Sequence, residues 1–288
     1  MQHTTKWTMT PLAMLLGTLF SMPLLAEETN VADSSGIEST QNEGESSCIV
    51  CKLSGSVYLS YDTNIYDKDD YRSVRNFSWG GDLNYAISKD IKAFFSAGGY
   101  RALEDEVGTY ATDSVLGLQY SNLYRFGETG KIAVAGQFTI PTSEDSRNDE
   151  LQTAFRLAVP VSFSLWSVDF SIAPRLKKNF HKYKTNGGRS LTEWTYSLFS
   201  VAEKSWDSFS LGITALGGNT ISYQGTRRSS WQYEGALYGT YKFNKSWSLT
   251  LAASSTGFYQ DAERGTLGNI DLLDQEKASY IASVAYSF

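Results

Sequence analysis

The fold class this sequence predicts is a transmembrane antiparallel β-barrel of about twelve strands. Three observations predict it. Apolar and polar residues alternate with a period of two along most of the chain beyond residue 52. The connections between the alternating segments are short and long by turns, and aromatic residues gather near both ends of the segments. Successive side chains of a strand point to opposite faces, so the alternation gives each strand one apolar and one polar side. No apolar run approaches the roughly 20 residues that a membrane helix needs.

The last segment shows the period most clearly. Tyr280, Ala282, Val284, Tyr286 and Phe288 share one face, and Ser279, Ser283 and Ser287 the other. Near the start, Leu53, Val57, Leu59 and Tyr61 alternate with Ser54, Ser56, Tyr58 and Ser60. In between, Phe77, Trp79, Leu83 and Tyr85 alternate with Asn76, Ser78, Asp82 and Asn84, and Phe155 and Leu157 with Ala154 and Arg156. The same rule places strands near residues 52–62, 72–87, 91–102, 111–125, 131–140, 150–161, 165–176, 191–202, 206–217, 230–243, 247–257 and 277–288. Most reach the roughly 9–11 residues that span a bilayer at a tilt.

The connections divide into two sets. Residues 88–90, 126–130, 162–164, 203–204 and 244–246 make short turns, and residues 62–71, 103–110, 141–148, 176–190, 218–229 and 257–276 make long loops. Short periplasmic turns and long extracellular loops are the pattern of bacterial membrane barrels, and an even strand count returns both ends to the short-turn side. Trp166, Trp206, Phe243, Trp247 and Phe288 lie beside short turns, and Trp79, Trp194, Trp231 and Tyr280 toward the long loops. Two bilayer interfaces call for two aromatic rings. A soluble β-sandwich also alternates, but it needs neither the rings nor the two-sided loop asymmetry.

Ahead of the barrel, residues 1–26 read as an export signal: Lys6, an apolar run over 11–20 too short to cross a bilayer, and a small residue, Ala26, at the cut. Residues 27–51 read as an acidic, unstructured periplasmic tether with six carboxylates, no Lys or Arg through residue 47, and few apolar residues to offset the entropy of ordering. The net charge of −6 is therefore the tether's −6 and the signal's +1, leaving about −1 on residues 52–288. The tether ends in Cys48-Ile49-Val50-Cys51, both cysteines of the chain. Export makes them candidates for a local disulfide. The thioredoxin-type alternative needs a βαβ context that does not follow, while a partner-linked redox role or a metal half-site on a periplasmic partner stays open.

With these elements in place, the terminal Tyr286-Ser287-Phe288, preceded by apolar residues at alternate positions back to Tyr280, resembles the C-terminal signature of Gram-negative outer-membrane β-barrel proteins. The resemblance implies residence in the outer membrane, among its lipids and lipopolysaccharide. It also implies recognition by the barrel-assembly machinery through Tyr286 and above all Phe288.

If the apolar face meets lipid, the polar face lines the interior. That list is small: Ser208, Ser210, Gly212, Thr214, Ser248, Thr250, Ala252, Ser254, Gln119, Ala133, Ala135, Gln137 and Thr139. The charged residues expected there are Asp82, Arg156, Asp169, Arg175, Glu193, Glu234 and Lys242. Twelve strands fall between barrels that side chains fill and barrels that enclose a wide channel, so small interior residues predict a narrow porin-like pore for small polar or charged solutes. The competing reading pairs the charges across the lumen and makes a closed structural or adhesion barrel that works through its loops or its tether. A basic loop is expected from Lys177, Lys178, His181, Lys182, Lys184 and Arg189, either drawing anions or gripping lipopolysaccharide phosphate.

An enzyme is not expected. The stretch from His181 to Ser190 faintly resembles the active-site strand of outer-membrane phospholipase A, but Tyr183 stands where that family has its serine two residues after the histidine. A serine nucleophile must lie within about 2.6–3.2 Å of its base, and Ser190 reaches His181 only across a loop. No phosphate-binding or dinucleotide motif occurs, neither metal nor cofactor is expected, and nothing supports nucleic-acid binding.

Overall fold

The computed structural model describes residues 52–104, 107–228, 231–259 and 278–288. The export signal, the acidic tether with Cys48 and Cys51, and most of the last long loop lie outside the described residues.

The alternating segments form β1 (Leu53–Thr63), β2 (Arg75–Ala86), β3 (Ile91–Ala102), β4 (Gly108–Ala111), β5 (Ser114–Phe126), β6 (Gly130–Ile140), β7 (Leu151–Ala158), β8 (Val161–Leu165) and β9 (Val168–His181). A two-residue pair follows, β10 (Thr185–Asn186) and β11 (Arg189–Ser190). The wall resumes with β12 (Thr192–Ser205), β13 (Phe209–Ser222), β14 (Trp231–Lys242), β15 (Trp247–Tyr259) and β16 (Ala278–Ser287). One short helix, α1 (Glu144–Asn148), sits in a long loop with Ser143 as its N-cap. β4 and β5 make one stave interrupted at Thr112 and Asp113, and β7 and β8 another, so the described residues build twelve staves.

Every stave pairs antiparallel with its neighbours, and the sheet closes on itself. β1 bonds to β16 through Ser60 opposite Ser283, and β12 bonds to both β9 and β13. Closure leaves no edge strand whose unpaired N–H and C=O groups would face lipid.

Two short turns lie later in the chain than the sequence suggests. The sixth stave turns at Trp166 and Ser167, not at 162–164, because Pro160 interrupts the ladder without ending the stave. Proline has no N–H to give; its carbonyl still accepts from the Ala133 N–H at 2.9 Å, and β8 carries the stave on beside β9. Trp166 and Ser167 both take positive φ, 54° and 58°, the two-residue turn whose twist matches the strands. The eighth stave turns at residues 206–208 rather than 203–204, which puts Ser208 in the turn.

The outer face carries the apolar belt. Val57, Leu59, Leu118, Phe138, Leu198, Ile213, Leu251 and Val284 are exposed there. Fully burying one such side chain is worth about 1.5–3 kcal/mol, so this belt is stable in hydrocarbon and costly in water. At the short-turn end an aromatic ring surrounds it. Trp206 stacks on Phe209 at 5.7 Å, Trp247 meets Tyr286 at 5.1 Å, and Tyr286 stacks on Phe288 at 6.3 Å.

Candidate permeation path

The interior is built by the inward half of each stave. Its charged members come from two regions of the wall. On β7 and β9 the register sets Arg156 opposite Lys177 and Ala158 opposite Arg175. Arg156 donates to Gln137 Oε1 on β6 at 2.5 Å, and the Arg175 guanidinium lies 4.2 Å from the centre of the inward Phe199 ring. Lys177 forms no ion pair among the described residues. Three cations from neighbouring staves therefore face the bore as one basic wall.

The sequence placed Lys177, Lys178 and His181 in a basic loop. The structure corrects this: β9 runs to His181 rather than stopping at Leu176, and the period of two continues through the charges. Lys177, Asn179 and His181 face inward. Lys178 faces outward, its ammonium 4.7 Å from the centre of the Trp194 ring and 3.4 Å from Glu193. A lysine stem can lie along apolar surface while its head stays polar, so a charged run does not end a membrane strand. Only Lys182, Lys184 and Arg189 lie beyond β9.

The expected interior set divides accordingly. Asp82 faces inward on β2, hydrogen-bonded by Ser56 and Asn84. Glu234 faces inward on β14 with 1 % exposure. Asp169 stands at the short-turn mouth, where it accepts from Ser164 at 2.5 Å. Glu193 stands apart from this set, because the ladder shifts between Thr192 and Trp194 and the side chain meets outward-facing Lys178. Two inward acids were missed: Asp62 on β1, held by Asn76 at 2.8 Å, and Glu203 on β12, which accepts from Tyr238 at 2.5 Å. The signal that finds them is the register, since Asp62 pairs with Asn76 and Glu203 with Asp169.

A cavity of about 960 Å³ occupies the bore toward the long loops, with Tyr58, Asp82, Gln137, Arg156, Lys177 and His181 among its walls. Loop residues Asp149, Asn186, Arg189 and Arg228 line its outer part. The pair β10–β11 is a hairpin turned by Gly187 and Gly188, both at positive φ (56° and 80°), a conformation glycine adopts without strain. Its Asn186 amide donates to Asp149 at 2.9 Å and to the Asn148 carbonyl at 3.2 Å, tying this loop to the α1 loop over the cavity. The Asn-Gly stretch is thus a turn. The His181 imidazole lies 3.3 Å from the Tyr223 hydroxyl, and the Ser190 hydroxyl has no hydrogen-bond partner, so the two do not form a nucleophile–base pair.

A closed twelve-stave wall with a polar bore and an apolar exterior is similar in fold to solved structures. The NanC porin superposes with a TM-score of 0.53 at 12 % identity, covering 81 % of this chain and 98 % of its own. An outer membrane channel of Pseudomonas putida F1 superposes with a TM-score of 0.56 at 14 % identity, covering 82 % of this chain and 95 % of its own. The fold is that of outer-membrane porins. No protein-family model and no curated protein matches the sequence.

Proposed function

We propose that the protein is a narrow porin-like channel of the Gram-negative outer membrane, passing small polar solutes with a preference for anions. The observation that carries this reading is the basic wall. Arg156, Arg175 and Lys177 crowd one side of a closed bore, beside a cavity large enough for a small solute. Cations lining a low-dielectric cleft raise the local concentration of anions. The outer-membrane barrels NanC and the Pseudomonas putida F1 channel, with the same strand architecture, support the setting. In this reading the apolar belt meets membrane lipid, the exposed cations of the long loops meet lipopolysaccharide, and Tyr286 and Phe288 serve the barrel-assembly machinery. Cys48 and Cys51 would form a local disulfide or engage a periplasmic partner.

Single-channel recording on purified, refolded protein in planar bilayers tests it. Discrete conductance steps are expected, with chloride favoured over potassium in a salt gradient. A folded barrel that never conducts would retire the channel and favour the closed, loop-acting barrel.

A further inference from the structure

Several cations at the long-loop end of the barrel are matched one to one by a carboxylate. Arg72 pairs with Asp70, Arg75 with Glu104 and Lys182 with Glu150. One stretch of the outer face departs from this. Register partners stand side by side on the same face of a sheet. Lys178 on β9 pairs with Trp194 on β12, Trp194 with Ile221 on β13, and Ile221 with Arg227 in the loop that follows. The four therefore form one row around the outside of the wall, with a cation at each end and apolar side chains between. At a strand spacing of about 4.8 Å, the two ends of the row lie roughly 14 Å apart.

Aromatic rings hold both cations. The Lys178 ammonium lies 4.7 Å from the centre of the Trp194 ring and 5.6 Å from that of Phe180. The Arg227 guanidinium lies 5.9 Å from the centre of the Trp231 ring, which meets Tyr196 edge-on at 5.9 Å. A cation over a ring face keeps N–H donors for a further partner. Lys178 is also 3.4 Å from Glu193, whereas Arg227 forms no ion pair among the described residues. The row thus holds two cations to one carboxylate.

Interfacial aromatics alone need no such cations; a bilayer asks only for the rings. What the row adds is positive charge facing outward at the long-loop end, where a membrane barrel meets the outer leaflet. Below it the surface is apolar. Leu176, two residues before Lys178 on β9, and Leu198, four after Trp194 on β12, share its face and are exposed. A water-soluble anion would leave these leucines uncovered, while a phosphorylated lipid covers them and meets the cations together.

We propose that this row binds lipopolysaccharide from the outer leaflet, with its phosphate groups against Lys178 and Arg227 and its acyl chains over Leu176 and Leu198. The site lies on the outside of the barrel, so it goes beyond the channel reading and does not depend on it.

The test is titration of the refolded protein in detergent micelles with lipid A carrying its phosphates, and with the same lipid after phosphatase treatment, bound lipid being counted by native mass spectrometry. The phosphorylated lipid should bind about tenfold more tightly than the stripped one, the effect of a charge-assisted contact. Lys178→Gln and Arg227→Gln should each weaken it by about tenfold. Arg101→Gln removes an outward cation on β3, across the barrel, and should leave the affinity unchanged. Should Lys178→Gln not assemble, as judged by heat-modifiable migration, Arg227→Gln, which lies in a loop, carries the test. Equal binding of the phosphorylated and stripped lipids overturns the proposal. A loss in Arg101→Gln as large as in the row variants also overturns it, since attraction would then be spread over the whole rim. Displacement of lipid A by an equal concentration of inorganic phosphate would reduce the row to a site for a free anion. Conductance steps bear on none of these outcomes, so the channel and the lipid site stand or fall separately.

Discussion

Arg156 and Lys177 owe their effect to position. Each is an ordinary cation on a strand, but the register sets them opposite one another on the inward face, where a low-dielectric wall lets a fixed charge act over a longer distance. Reversing one should change selectivity more than it changes the barrel. Arg156→Glu or Lys177→Glu should shift the reversal potential in a salt gradient toward potassium, while Lys178→Glu, whose side chain faces outward beside Trp194, should leave it near that of the unmodified protein. If the outward lysine matters as much as the inward pair, the basic wall does not set selectivity. A different residue-scale case is Asp70, in the long loop after β1. The hydrogen bond from the Arg72 guanidinium, then that from the Arg72 backbone N–H, holds its carboxyl at about 2, and Arg72 in turn lies 3.9 Å from the centre of the Tyr66 ring. A carboxyl lowered in the folded state stabilises above its unfolded value near 3.9 and loses that contribution as pH falls toward the folded value. The Asp70 carboxyl carbon should therefore show no titration by NMR between pH 8 and pH 5, and its shift should begin to move only below about pH 4. A midpoint near the ordinary aspartate value would mean that the Arg72 contact does not form.

Elements of this wall were legible because a bilayer imposes a simple rule on them: apolar out, polar in, about ten residues per crossing. All twelve staves appear where alternation places them, and β3 has the very bounds the period predicts, Ile91–Ala102. Ends were less legible. The turn at Trp166 and Ser167 contains none of the Asn-Gly or Asp-Gly signals that mark such turns, so the nearby serines drew the expectation instead. Because an L-residue at positive φ costs roughly 1 kcal/mol, Ser167→Gly should stabilise the refolded barrel by up to about that amount, read as a higher urea midpoint of unfolding. Loss of stability would show that the serine side chain contributes more than the strain it carries. The closing seam gives a second element-scale prediction. Phe288 exchanges backbone hydrogen bonds with Gly55 at 3.0 and 3.1 Å, and its ring lies over that glycine, where an added Cβ would come within 2.9 Å of Cζ and 2.5 Å of the Asp82 carbonyl oxygen. Gly55→Leu should therefore obstruct closure, and removing Phe288 should leave a protease-sensitive product that migrates alike before and after heating. Normal assembly of the truncation would remove the terminal phenylalanine from the folding mechanism.

At the scale of the whole molecule, what matters is whether the bore is continuous. The long loops do not simply float over it: Asn186 on the β10–β11 hairpin holds the α1 loop through Asp149 and Asn148, and the Tyr223 hydroxyl donates to the Asn179 carbonyl at 2.6 Å while the His181 N–H donates to it at 3.1 Å. These contacts narrow the outer mouth. Asn186→Ala should free the hairpin and raise single-channel conductance or its open fraction by a measurable factor, without altering heat-modifiable migration. Unchanged conductance would place the resistance deeper, near Phe199, Arg175 and Glu234.

The barrel, the approximate number and order of its staves, the alternation of its short turns and long loops and the charged residues available to its interior are legible from the residues alone. These follow from rules that act within one strand or one turn, where a period of two and a run of turn residues are visible without knowing any partner. Which charges share a wall, that Lys177 joins Arg156 inside while Glu193 pairs outside, and that buried Glu234 faces the charge of Arg175 became visible only once the sheet had closed. Those facts depend on register, on a ladder shift and on closure of the sheet. All three are set by hydrogen bonding between strands far apart in the chain, and a one-residue slip reverses every face.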